Sequence, residues 1–261
     1  RLFGLQRQEI AFQRQEYGGS FFVSDRVRWL GAIATAGYTF QSLRNRDNQL
    51  GTAPVDNKQV VVASVDLSLS RDRRDNPLRP RRGYRWFGQV ESASQELGGE
   101  VDYQRIEVGY SYHTPWGEGR WVHAGVTHGA VLTLGTGNDA LLPVNKRFYP
   151  GGDSSIRGYQ EGEAAPRGPD GRFVGAKAYL LVNLELEQAV VGNWSAVAFF
   201  DALGTATRLQ DYPFNERLYS LGLGMRYNSI IGPIRAEYGY NLKRREGDPT
   251  GTFLLSIGFP F

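Results

Sequence analysis

The chain has 261 residues, a net charge of +3, a mean hydropathy of −0.41 and no cysteine. Disulfides and thiolate metal sites are therefore excluded, and the positive balance is too small to argue for nucleic acid. No run of 18 apolar residues offers a transmembrane helix. Aromatics at 13% and 33 glycines leave two all-β readings. One is a soluble sandwich; the other is an outer-membrane barrel, whose polar lumen and apolar lipid face average out in hydropathy. Arg1 opens the chain without an apolar leader, as expected of a mature protein or a fragment.

In chain order, period-2 alternation predicts strands at 2–12, 18–25, 30–42, 58–71, 84–97, 101–113, 120–134, 173–189, 194–203, 217–228, 233–245 and 251–261. In the eighth, Ala178, Leu180, Val182, Leu184 and Leu186 oppose Lys177, Tyr179, Asn183, Glu185 and Glu187. In the tenth, Tyr219, Leu221, Leu223, Met225 and Tyr227 oppose Ser220, Gly222, Gly224, Arg226 and Asn228. In the last, Phe253, Leu255, Ile257, Phe259 and Phe261 share one face. Runs of about ten or more residues exceed a sandwich strand and match a tilted bilayer crossing.

Short connections (114–119, 190–193, 229–233) alternate with long ones (44–58, 136–171, 205–216) in the manner of periplasmic turns and outer loops. The five tryptophans, Trp29, Trp86, Trp116, Trp121 and Trp194, all fall near predicted short turns, which predicts an aromatic girdle at the periplasmic rim.

The chain carries neither a GxSxG elbow nor an HExxH pair. Gly135-Thr136-Gly137 lacks the rest of a dinucleotide fingerprint and reads as a loop tip, and Asn193-Trp194-Ser195 reads as a tight turn. His123 and His128, five apart on one strand, point to opposite faces and cannot share a metal. Glu185 and Glu187 share a face and read as solvated lumen charges. The expectation is a non-enzyme with no cofactor and no metal.

Two stretches are too specific for a generic barrel: "DRRDNPLRPRRGYRW" at 72–86 and "FYPGGDSSIRGY" at 148–159. The first resembles the D-x-x-D-N-P-x-x-P-x-x-G turn of the superfamily of outer-membrane assembly and secretion barrels (BamA- and TamA-like), on Asp72, Asp75, Asn76, Pro77, Pro80 and Gly83. The second resembles that family's sixth-loop (V/I)-R-G-(F/Y) signature on Ile156, Arg157, Gly158 and Tyr159, preceded by Gly151-Gly152. "FFDALG" at 199–204 is similar to the family's F-x-D-x-G strand, "NLELE" at 183–187 to the strand before it, and Phe261 to the terminal aromatic.

The resemblance implies an all-β, transmembrane antiparallel β-barrel with about 12 strands present, the C-terminal part of a 16-strand barrel, with the long loop folded into the lumen. Residues 1–261 would form this outer-membrane barrel domain, with no POTRA domain in this chain. Arg157 would meet Glu185 and Asp201 on the inner wall; alternation independently puts Glu185 on the polar face, and Asp201 on the face of Phe199. The implied function is assembly and insertion of β-barrel clients through a weak seam at the last strand; Gly258 and Pro260 there are consistent with weak pairing, and Pro260 reads equally as a plain terminator. The alternatives are a two-partner-secretion pore and the barrel of a patatin-like phospholipase fusion. Implied partners are outer-membrane lipid, unfolded barrel clients, and periplasmic accessory proteins or POTRA domains, in the outer membrane of a Gram-negative bacterium.

Overall fold

The computed structural model describes residues 1–46, 59–134, 142–211 and 216–261, without the side chain of Arg46. The expected long connection at 44–58, the Gly135-Thr136-Gly137 tip and the end of the 205–216 connection lie largely outside the described residues.

Among the described residues, twelve strands form one sheet in chain order. They are β1 (Leu2–Gln8), β2 (Gln13–Val27), β3 (Ala32–Arg46), β4 (Gln59–Asp72), β5 (Gly83–Ala93), β6 (Tyr103–Pro115), β7 (Arg120–Thr133), β8 (Ala178–Val191), β9 (Trp194–Ala206), β10 (Glu216–Ser229), β11 (Gly232–Lys243) and β12 (Gly251–Ile257). Every neighbouring pair is antiparallel. β1 and β12 are the two edges and do not pair with each other. One rim carries the connections 28–31, 73–82, 116–119, 192–193 and 230–231; the other carries 9–12, 47–58, 94–102, 207–215, 244–250 and the longest, 134–177.

The faces follow the alternation. Leu184, Leu221, Leu223, Phe253, Leu255 and Ile257 are exposed on the outside, while Asn183, Glu185, Asp201, Arg226, Arg235 and Glu237 are buried on the inside. What covers the inside is the long loop. Its Leu142, Phe148 and Ala176 join Leu43, Val62, Tyr103 and Val131 in one apolar cluster. Its Ile156, Tyr159 and Ala164 join Leu181, Leu203 and Leu218 in a second, and its Val144 joins Ala11 and Phe12 in a third. A barrel has no interior of its own to collapse, so the loop supplies the core; each fully buried large side chain contributes about 1.5–3 kcal/mol. Glycines make room for it: a Cβ on Gly129 would strike the rings of Tyr179 and Phe148 at 2.4 and 2.7 Å.

Several expectations need correction. The run expected at 2–12 ends at Gln8 because the chain turns there, Glu9 N–H donating to the Phe12 carbonyl at 2.9 Å. The run at 84–97 ends at Ala93, where Ser94 caps a short 3₁₀ turn and Gly98 takes φ 97°. The run at 173–189 becomes a strand only at Ala178; the residues before it make isolated bridges, Phe148 with Ala176 and Arg167 with Phe173.

The last strand is the largest change. It stops at Ile257, and Gly258 at φ 104° breaks the alternation. Phe259 and Phe261 therefore turn inward, Phe259 meeting His113 edge-on at 5.2 Å and Phe261 stacking on it at 6.1 Å between ring centroids, and do not share the outer face of Phe253. Gly125 accepts the Phe261 ring: a Cβ there would lie 2.9 Å from it. All five tryptophans lie at or near the short-turn rim. Trp121, however, pairs across from buried Glu187 and faces the lumen, under the guanidinium of Arg81 at 4.2 Å.

The face assignment is testable in phospholipid vesicles. Leu223→Arg, at the middle of β10 on the outside, should lower folding stability by about 2–4 kcal/mol. Thr127→Arg, pointing into a luminal cavity of about 420 Å³, should cost under about 1 kcal/mol. Equal costs in chemical denaturation would contradict the assignment.

Candidate functional site

The long loop reaches the inner wall at Arg157. Two glycines shape the approach: Gly151 and Gly152 take φ 133° and 95°, and Gly152 N–H donates to the Tyr159 carbonyl at 3.0 Å, closing a compact tip. A Cβ on Gly151 would meet the Gln160 carbonyl at 2.3 Å. Gly158 serves a different purpose. Its φ is ordinary, but a Cβ there would come within 1.7 Å of Asn241 Oδ1. Below it the wall is also flattened by glycine, since a Cβ on Gly239 would lie 2.1 Å from the Arg157 carbonyl.

Arg157 is fully buried. Its Nε and Nη2 donate to the two oxygens of Asp201 at 2.9 Å each, its backbone N–H donates to the same carboxylate at 3.0 Å, and Nη1 donates to Glu185 at 2.7 Å. The guanidinium lies 3.6 Å from the centre of the Phe199 ring. This fork uses the planar geometry that arginine has and lysine lacks. Burial alone would depress the Arg157 pKa, but Asp201, Glu185 and Glu237 outweigh it and hold the group above its ordinary value.

The wall adds partners that alternation placed inside without singling them out. Arg226 on β10 donates from both Nη atoms to Glu185, at 2.6 and 2.7 Å, and from Nη2 to Glu237 at 2.8 Å. Arg235 on β11 bridges Glu237 at 3.3 Å and the loop's Asp153 at 2.8 Å. Asn183 donates to Asp201 at 2.8 Å and to the Ser155 carbonyl at 2.9 Å. The Gly158 carbonyl accepts from Asn241 on β11 at 2.8 Å and from Thr252 on β12 at 3.0 Å. Glu185 and Glu187 are therefore not solvated charges: both are buried, and Glu185 is fully engaged.

Glu187 carries the network toward the other rim. It lies 3.5 Å from Arg226, 3.6 Å from His123 Nε2 and 3.6 Å from Arg79 in the 73–82 turn. A ladder thus runs Arg157–Glu185–Arg226–Glu187–Arg79, joining the loop tip to the short-turn rim. His123 also meets His113 on the neighbouring strand, Nδ1 to Nδ1 at 3.0 Å, a pairing the sequence spacing did not reveal. His123, Glu185 and Glu187 lie close enough to hold an ion. However, the arginines already occupy Glu185 and crowd Glu187, so the donor set is that of an ion-pair network.

The 73–82 turn is built by its motif residues. Asp75 accepts backbone N–H bonds from Asn76, Arg81 and Arg82 at 2.9, 2.9 and 3.1 Å. Asn76 accepts from Leu78 and Arg79 at 2.9 and 3.2 Å, an arrangement that needs no N–H from the intervening Pro77. Asp72 accepts from Arg74 backbone and side chain. Pro80 is buried, and Gly83 is obligatory: φ is 104° and a Cβ would lie 2.1 Å from the Arg73 carbonyl. Partial burial pushes the Asp75 pKa up, but the converging N–H groups prevail and hold it below the usual carboxylate value.

Two outcomes follow from this geometry. Because the Asp75 pKa is depressed by folding, its contribution is present above the ordinary carboxylate range and is lost as pH falls through the folded value. Asp75→Ala should therefore speed amide exchange at Arg81 and Arg82 by about tenfold at neutral pH, with a difference from wild type that vanishes in acid. Gly158→Ala should loosen the loop, read as faster protease cleavage within 142–177, while Gly88→Ala, whose Cβ would meet only Val108 at 3.7 Å, should leave that cleavage slow.

The Omp85 superfamily domain matches residues 5–261. The chain is 28% identical over 265 residues to the outer membrane protein assembly factor BamA of Nitratidesulfovibrio vulgaris, covering 95% of this chain and 33% of that protein, so it spans about a third of that relative's length. Among solved structures, BamA from Haemophilus ducreyi lacking POTRA domains 1–3 superposes with a TM-score of 0.77 at 19% identity, over 96% of this chain and 56% of that one. CdiB from Acinetobacter baumannii superposes with a TM-score of 0.58 at 14% identity, over 92% and 41%. With the family matched over nearly its whole length, the chain belongs to the Omp85 superfamily, as a β-barrel of the outer membrane of a Gram-negative bacterium.

Proposed function

We propose that this chain is the barrel portion of a factor that assembles and inserts β-barrel clients in the outer membrane, working by strand addition without covalent chemistry. The observation that carries the reading is the state of β12. It is only seven residues long, pairs on one side with β11, and ends where Gly258 turns the chain inward. A strand this short offers few ladder hydrogen bonds to whatever pairs on its far side, so a client strand can compete for that edge.

The loop tip is the proposed control on that edge. Gly158 holds β11 and β12 together through Asn241 and Thr252, and Arg157 holds Gly158 in place. The ladder to Arg79 ties this tip to the periplasmic turn, beside which accessory proteins or POTRA domains would work. In this reading the site residues are Arg157, Glu185 and Asp201, with Arg226 and Glu237 as positioning residues. Clients are unfolded barrel proteins.

A translocation pore is the second reading, favoured by the fold shared with CdiB. Against threading, the loop occupies the lumen beside β8–β12, and the luminal cavities next to it are about 420 and 330 Å³. The experiment uses the full-length protein in vesicles with an unfolded barrel client. Arg157→Ala should lower client folding at least tenfold and expose the loop to protease while the barrel keeps its heat-resistant migration; leaving buried carboxylates unpaired costs on the order of 3–5 kcal/mol. Arg157→Lys should restore less than half, since lysine lacks the fork. Unchanged client folding in Arg157→Ala would overturn the control role, and delivery of soluble polypeptide across the vesicle would favour the pore.

A further inference from the structure

The outer face of β2–β5 carries a feature that the luminal network does not use. A mainly apolar groove of about 560 Å³ runs over Val23, Ala34, Ala36, Leu67, Leu69 and Val90, with Asp25 as its one charged lining residue. Its floor is low because small residues sit between large ones: Ala34 pairs with Leu69, Ala36 with Val23 and Leu67, and Gly88 with Leu69. A Cβ on Gly88 would meet only Val108, at 3.7 Å.

The groove's short-turn end is basic. Arg71 follows Leu69 by two residues on the same face and pairs across from Trp86. Its guanidinium stands 5.8 Å from the Tyr84 ring centre, and its Nε is buried without a hydrogen-bond partner. Arg73, at the start of the turn, converges on it: Arg73 Nη2 lies 2.9 Å, and Arg71 Cζ 3.7 Å, from where a Cβ of Gly31 would stand. No ion pair to either arginine is found among the described residues. Of the neighbouring acids, Asp72 is bound by Arg74, while Asp25 lines the groove on β2, two strands away from Arg71, and makes no ion pair with it. Two converging guanidiniums that no carboxylate pairs with leave a site that an anion stabilises. Exposed Trp29, and half-buried Trp86 across from Arg71, mark this height as the membrane interface.

We propose that this surface seats one anionic glycerophospholipid of the periplasmic leaflet, its phosphate between Arg71 and Arg73 and one acyl chain along the groove. A volume of this size falls within the range of small-ligand sites, about 300–1,000 Å³. Basic side chains at the membrane surface select anionic headgroups. The chain and the phosphate are both required, because the guanidiniums are wet at one end and the groove is apolar at the other. The site lies on the opposite face of the sheet from Arg157 and is independent of the proposed assembly role.

Native mass spectrometry of the detergent-purified protein, titrated with phosphatidylglycerol or phosphatidylcholine, tests this. The expected result is one phosphatidylglycerol retained at least fivefold more tightly than phosphatidylcholine, and not displaced by soluble glycerophosphoglycerol. Arg71→Gln with Arg73→Gln should remove that preference, and Arg71→Lys with Arg73→Lys should keep at least half of it. Ala36→Phe, which fills the groove, should weaken both lipids alike. Heat-modifiable migration confirms that each variant is folded; where Ala36→Phe is not, Ala34→Leu replaces it. Equal retention of phosphatidylglycerol by the Gln variant and wild type overturns the headgroup seat. Retention unchanged by filling the groove overturns the chain seat, and displacement by the soluble headgroup shows a phosphate site without a lipid.

Discussion

Everything on the inner face depends on how one buried cation is neutralised. Arg157 cannot give up its proton, and its side chain is sealed from water. Asp201 and Glu185 satisfy it, yet Glu185 and the adjacent Glu237 are themselves buried and need more positive charge than one arginine supplies. Arg226 and Arg235 answer that demand. The result is a closed group in which each removal strands a charge, so its members are expected to change together if they change at all.

The loop and the wall are consequently two halves of one structure. The wall contributes ions and flat glycine positions; the loop contributes Ile156, Tyr159 and Phe148 to the apolar clusters. An Ω-like excursion of this length would ordinarily be the most mobile part of a barrel. Here it is the packed interior, and its conformation is held by the same residues that hold the strands in register.

Much of this was legible in the sequence because alternation is a one-dimensional signal. The faces of β8, β10 and β11 can be read from their side chains, and the loop and turn motifs can be read by resemblance. What could not be read is cross-strand register. His113 meets His123, and Arg226 sits opposite Arg235, only because particular residues pair. No spacing within one strand encodes that. The terminal strand misled for a related reason: Phe259 and Phe261 continue the pattern on paper, but a single positive φ at Gly258 reverses the side they face. Trp121 shows the same limit, since proximity to a turn gives height along the strand and says nothing of inside or outside.

The distribution of the braces has a mechanical consequence. The ion ladder and the loop tip bind β8, β9, β10, β11 and β12 into a stiff plate, whereas the luminal cavities lie along β3–β8. A load on this wall would be carried rigidly by the C-terminal plate and absorbed by bending in the N-terminal part. The compliant side then acts as a spring and the plate as its anchor, so the short terminal strand is mounted on the least yielding part of the molecule.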